Sequence, residues 1–174
     1  MMKKLSKKKR ALYLRRAIFI VAIFLVALLQ NTPHLMPSIF GSHAFLLVPL
    51  ITCLGMFETS FVAALMGALA GVLWDATIAR GDGYNALILA IFATATSLLI
   101  SYLMRNNLST AALLGGTAVV LYSLLHWFFF VVCSGAKGGF LTLFTFYLPS
   151  TIYTLIFVPI FYIALRALLR KIKE

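Results

Sequence analysis

The chain has 174 residues, 63% of them hydrophobic and only 11% charged, with a mean hydropathy of +1.03. That composition excludes an ordinary soluble domain and reads as an integral membrane protein. The net charge of +11 sits at the two ends of a neutral apolar body, which points to anionic lipid and away from nucleic acid.

Residues 1–16 read as a basic cytoplasmic tail, in which Lys3, Lys4, Lys7, Lys8, Lys9, Arg10, Arg15 and Arg16 are placed for contact with anionic lipid. A first helix is expected over roughly Tyr13 to Leu29. The sequence after it, LVALLQNTPHL, offers no small-x-small cleavage site, so the segment reads as an uncleaved span rather than a signal peptide. Gln30, Asn31, Pro33 and Pro37 then break it in a loop extending to about Ser42. From Ala44 to Ile78 only Glu58 and Asp75 interrupt the apolar run, which is about twice the length one span needs. A turn at Met56 to Ser60 resolves this into a short second span and a third from about Thr59 to Ile78. The loop ARGDGY follows, then a fourth span from about Asn85 to Met104 and a fifth from about Thr110 to Cys133. Phe140 to Leu169 is too long for one untilted span. Pro149 is expected to divide it into an interfacial piece, FLTLFTFYL, and a sixth span ending in the basic tail 170–174.

The expected fold is therefore an all-α membrane protein. Residues 17–169 form a single six-transmembrane-helix bundle, with the N- and C-termini cytoplasmic. Six spans put both basic tails and Arg105 on one side and leave only Arg80 and Lys137 on the other, as the positive-inside rule requires.

Within the third span Ala63, Gly67, Gly71 and Asp75 recur every four residues and share one helix face, a ladder suited to close helix packing inside the chain or to binding a partner helix. Asp75, Arg80 and Asp82 form an outer-end polar cluster. Arg80 is positioned to fold back onto Asp75 as a helix-end ion pair, with a polar contact to another membrane protein as the other reading. Glu58 reads as a plain interfacial turn residue whose change to Gln is nearly neutral, and Asn85 as an N-cap for span four. His34, His43 and His126 lack metal-ligand spacing, and Cys53 and Cys133 lie apart in apolar segments, so no metal or cofactor is expected. Ser123, His126 and Asp75 could meet as a hydrolytic trio only by chance of packing, and no glycine-rich phosphate loop is present, so the chain reads as no enzyme.

In order and spacing these features resemble the rod-shape-determining protein MreD family of bacteria. The residues that carry the resemblance are the basic N-terminus, a first span ending Leu28, Leu29, Gln30, the Gly67, Gly71, Asp75 helix, the glycine loop entering span four as GYNAL, and the LPS-x2-Y element Leu148, Pro149, Ser150, Tyr153 with the later Pro159. The resemblance implies a non-enzymatic scaffold in the bacterial cytoplasmic membrane. Its implied partner is MreC, a bitopic protein, together with MreB, RodA and a class B penicillin-binding protein. The family is also similar in architecture to the substrate-binding subunits of energy-coupling-factor vitamin transporters, which supplies the competing expectation of small-molecule uptake.

Overall fold

The fold comes from a computed structural model that describes residues 2–32, 43–77, 82–135 and 139–173. Among these residues all regular structure is helical. Helix α1, Met2–Asn31, takes in both the basic tail and the first apolar run, because no glycine or proline interrupts those thirty residues. Helix α2, Leu47–Gly55, carries Pro49 in its first turn, where a missing N–H costs nothing. A turn at 56–59 leads into α3, Ser60–Asp75. Helix α4, Tyr84–Tyr102, begins after Gly83, whose φ of 69° is a left-handed value that favours glycine.

Helix α5, Leu108–Trp127, widens into π-helix over Phe128–Val132. The last segment runs as a short helix α6, Gly139–Thr142, a π-helical turn Leu143–Tyr147, and α7, Leu148–Lys173. The expectation that Pro149 divides this segment is corrected. Pro149 sits in the opening turn of α7 immediately after the π-helical turn, and that wider turn accommodates the residue with no N–H to donate. Pro159 likewise lies inside α7.

Among the described residues four helical runs are long and apolar enough to cross a membrane: Lys9–Asn31, Tyr84–Tyr102, Leu108–Val132 and Gly139–Lys171. Helix α3, with 16 residues, and α2, with nine, are shorter. At 1.5 Å per residue α2 is only about 14 Å long, less than half a hydrocarbon core. The outward faces carry large apolar side chains, among them Leu28, Phe61, Leu87 and Phe140, and this exposed apolar jacket is that of a membrane-embedded protein.

Hydrogen bonds between helices and turns distant in sequence fix the direction of each helix. At one end Arg15 of α1 bonds Glu58 before α3, Asn106 before α5 bonds the Met56 carbonyl after α2, and Tyr162 of α7 bonds Asn106. At the other end Gln30 meets Leu47, Asp75 meets Asn85, and His126 meets Tyr147. The basic N-terminal half of α1 and the basic C-terminal half of α7 thus share one end of the body.

Every residue of α2 is buried. Helices α1, α3, α4, α5 and α7 all pack on it. Leu47, Ile51 and Leu54 form the centre of a core completed by Phe19 and Ile23 of α1, Val119 and Tyr122 of α5, and Val158 and Tyr162 of α7.

Candidate functional site

The chemistry-bearing residues gather at the two ends of the body, and the ladder of small residues joins them. Ala63, Gly67 and Gly71 are buried on the α3 face that packs against α4. A Cβ at Gly67 would lie 2.5 Å from the Leu89 carbonyl oxygen, and one at Gly71 would overlap the backbone of Asn85 and Ala86. Gly55 of α2 abuts α4 in the same way, 2.6 Å from the Ala93 oxygen. The ladder is therefore filled from inside the chain. Of the two expected uses of this face, close packing inside the chain is the one seen at Gly67 and Gly71, where the α4 backbone stands.

Asp75, the last residue of α3, closes the ladder. Its Oδ1 accepts from the Asn85 side-chain amide at 2.8 Å and from the Asn85 backbone N–H at 3.3 Å, while Oδ2 accepts from the Ala86 N–H at 3.0 Å. These are the second and third residues of α4, so the acid of one helix caps the next across the intervening turn, where a negative charge also suits the helix dipole. Asn85 is thus not the cap expected from the sequence; Gly83 occupies the N-cap position and Asp75 supplies the acceptors. Asn85 passes the network on, since its Oδ1 accepts from the Tyr122 hydroxyl at 2.6 Å. Asp75, Asn85 and Tyr122 are all buried, so each polar atom in the chain needs the next.

This predicts a graded series. Asp75→Asn keeps one acceptor and should cost about 1 kcal/mol of stability; Asp75→Leu leaves the α4 N–H groups and Asn85 unsatisfied and should cost about 2 to 3 kcal/mol. Thermal unfolding in detergent, followed by the fluorescence of Trp74 and Trp127, measures both, and equal losses would show that the capping bonds do not carry the effect.

Aromatic rings surround the network. Tyr122 stacks on Trp74 at 5.3 Å and meets Phe45 edge-on at 5.2 Å, and the Phe45 N–H donates to Thr154 on α7 at 2.9 Å. His126 shares a 2.8 Å hydrogen bond between Nδ1 and the Tyr147 hydroxyl and stacks on Phe130 at 4.4 Å. Ser123 accepts from Thr151 instead. Ser123, His126 and Asp75 are therefore each engaged elsewhere and do not form a nucleophilic trio. Asp82 is exposed, and Arg80 lies outside the described residues, so of the outer-end cluster only the Asp75 contacts are on view.

The other end is built around Glu58. Its side chain is fully buried, bonded by Arg15 Nε at 2.7 Å, with Arg16 Nε 3.7 Å from the second carboxylate oxygen. The expected interfacial turn residue is in fact an ion-paired anchor that fixes α1 to the α2–α3 turn. Ser97 donates to the Glu58 carbonyl at 2.7 Å, and Asn106 donates to the Met56 carbonyl at 2.8 Å. Tyr162 in turn donates to Asn106 Oδ1 at 3.0 Å. The turn is thereby tied to α1, α4 and α7 at once. Sequence reasoning overlooked Asn106 and Tyr162, whose only signal is polarity beside the RNN break and on the inward face of the last span.

Among the described residues no group of three His, Cys, Asp or Glu side chains is placed to hold a metal ion. No protein-family model, curated protein or solved structure matches the chain.

Proposed function

We propose that the chain is a non-enzymatic scaffold of the MreD type. In this reading it sits in the bacterial cytoplasmic membrane, binds the single helix of MreC, and helps control cell shape and peptidoglycan synthesis alongside MreB, RodA and a class B penicillin-binding protein. One observation carries the reading: the residues of the resemblance are the residues that join the helices. Gly67 and Gly71 seat the α4 backbone. Asp75 caps the GYNAL helix through Asn85 and Ala86, and Gln30 accepts the Leu47 N–H at the head of α2 at 2.9 Å.

In the same proposal the chain crosses the membrane six times, with α2 and α3 as short passes and both basic ends cytoplasmic. The partner helix then meets the outward apolar faces, since the glycine ladder is taken up internally. The competing reading, a vitamin-binding subunit, needs a pocket between helices at the end away from the basic tails. Phe45, Trp74 and Tyr122 pack there with ring centroids 5.2 to 6.0 Å apart, which favours the scaffold.

Affinity purification in mild detergent followed by mass spectrometry tests the choice. A bitopic coiled-coil protein is the expected companion; recovery of an ATPase module with a bound vitamin would overturn the scaffold.

A further inference from the structure

We infer that the protein holds the outer leaflet of its bilayer thin along α3 and α4, so that the lipid surface climbs by about 10 Å in passing round to α5 and α7. This rests on the orientation proposed above, which makes the end away from the basic tails the outer one. At the inner end the helices are level, joined through Arg15 and Glu58, Met56 and Asn106, and Asn106 and Tyr162. Their lengths then differ. Helices α3 and α4 have 16 and 19 residues, about 24 and 28 Å. The runs Leu108–Val132 and Gly139–Lys171 have 25 and 33, about 37 and 50 Å. A hydrocarbon core of about 30 Å falls between the two sets. At the outer end Asn31 donates to the Leu73 carbonyl, Asp75 accepts from Asn85, and Asn85 accepts from Tyr122, so α1, α3 and α4 all finish at the level of Tyr122. Ser123 and Thr151 meet at that level too. From there α5 and its π-helical extension continue about 10 Å to Phe130, and the last segment starts about 16 Å farther out at Phe140. Trp127, donating to the Gly139 carbonyl at 2.8 Å, ties the two arms of this projecting hairpin together.

The two sides make opposite demands on their surroundings. Phe128, Phe129, Phe130, Phe140, Leu141 and Phe144 are exposed on the hairpin, and the first three, being successive, point to more than one side of their helix. No charged residue occurs among residues 127–135 or 139–147. A segment apolar on several sides suits hydrocarbon, whereas a surface for a protein partner leaves a polar remainder. Asp82, by contrast, is exposed one residue before the Gly83 cap of α4, and a carboxylate there needs water or headgroups around it. Thr77, two residues past Asp75, is exposed at the same end of α3. Water therefore reaches the end of α3 and α4 while hydrocarbon still covers the hairpin farther out. Tilting the body does not remove the conflict, because it lengthens the path of every helix alike. The lipid slopes instead, with short or disordered chains filling the lower side.

The test uses the full chain in phosphatidylcholine nanodiscs, with a nitroxide label at Thr77→Cys, Ile91→Cys or Phe140→Cys in a Cys133→Ser background that leaves only the buried Cys53. Oxygen concentrates in hydrocarbon and a nickel chelate in water, so their relative access reads depth. Ile91, exposed midway along α4, should report hydrocarbon. The Phe140 label should be open to oxygen and closed to the chelate, and the Thr77 label the reverse. The oxygen-to-chelate ratio should be at least about tenfold higher at Phe140, although Phe140 lies farther from the centre of the body. Chelate access to the Phe140 label would stand the hairpin in water as a surface for a protein and overturn the inference. Protection of the Thr77 label would mean a flat bilayer over α3 and α4 and overturn it as well. Chelate access at Ile91 would remove the membrane placement itself, and the inference with it. Label depth does not depend on which partner co-purifies, so this inference and the scaffold reading fail separately.

Discussion

Gly71→Leu should abolish the native packing of α3 on α4 and leave little monodisperse protein in detergent. Even Gly71→Ala places its Cβ where the backbone of Asn85 and Ala86 stands. The obstruction is main chain, which cannot rotate aside as a side chain can, so the two helices must separate. Separation also breaks the bonds from Asp75 to Asn85 and Ala86 that lie at the same level. The combined cost for Gly71→Ala is about 3 kcal/mol, and the leucine exceeds it. Gly116→Ala provides the contrast, because its Cβ would meet only Leu155 at 3.5 Å, and replacing a mid-helix glycine there should be neutral or stabilise by up to about 1 kcal/mol. Thermal unfolding of the two alanine variants decides between them. If Gly71→Ala melted like the parent, α3 and α4 would have to be farther apart than described here.

Glu58→Gln should be the second most damaging change, although the sequence marks it as nearly neutral. The carboxylate is buried against Arg15, with Arg16 beside it. Removing its charge leaves the Arg15 guanidinium partly desolvated without its partner. Breaking a fully buried pair costs about 3 to 5 kcal/mol, and the 28% exposure of the Arg15 side chain brings this to about 2 kcal/mol. A double-mutant cycle isolates the interaction. Arg15→Gln alone should also be costly, but adding it to Glu58→Gln should cost clearly less than it does in the parent. Strict additivity would mean that the pair contributes nothing.

The Glu58 result shows where sequence reading stops. Composition and breaks in the apolar run locate the fourth and fifth helices to within two residues, because hydrophobic length and turn residues are local properties. Helix α1, in contrast, begins at Met2, eleven residues before the expected Tyr13, since lysines form helix as readily as apolar residues do. The four-residue spacing of Ala63, Gly67, Gly71 and Asp75 correctly identifies one packed face. Periodicity names a face and not the neighbour that meets it, so α4 could not be distinguished from a partner chain. Arg15 and Glu58 are 43 residues apart, and no local pattern links them. Asn85 was visible as a polar residue at a helix start, but its role depends on Asp75 across the turn and on Tyr122 a further 37 residues along. Pro149 misled for the opposite reason. The local rule that proline ends a helix is sound, but a preceding turn of π-helix relieves it.

The enclosed position of α2 bears on how the protein enters a bilayer. Nine residues are too few to be held by lipid as an independent span, and the Leu47 amide at its start and the Phe45 amide just before it find their acceptors on Gln30 and Thr154, which belong to other helices. Helix α2 therefore has no stable membrane state of its own during synthesis. In the proposed six-span arrangement it enters the bilayer together with α3 as a helical hairpin, and the Phe45 N–H has no Thr154 to meet until α7 emerges more than ninety residues later. Truncations that stop before α7 should accordingly be recognised and degraded by membrane quality control, although Lys9–Asn31, Tyr84–Tyr102 and Leu108–Val132 are by then translated and are long and apolar enough to cross a membrane.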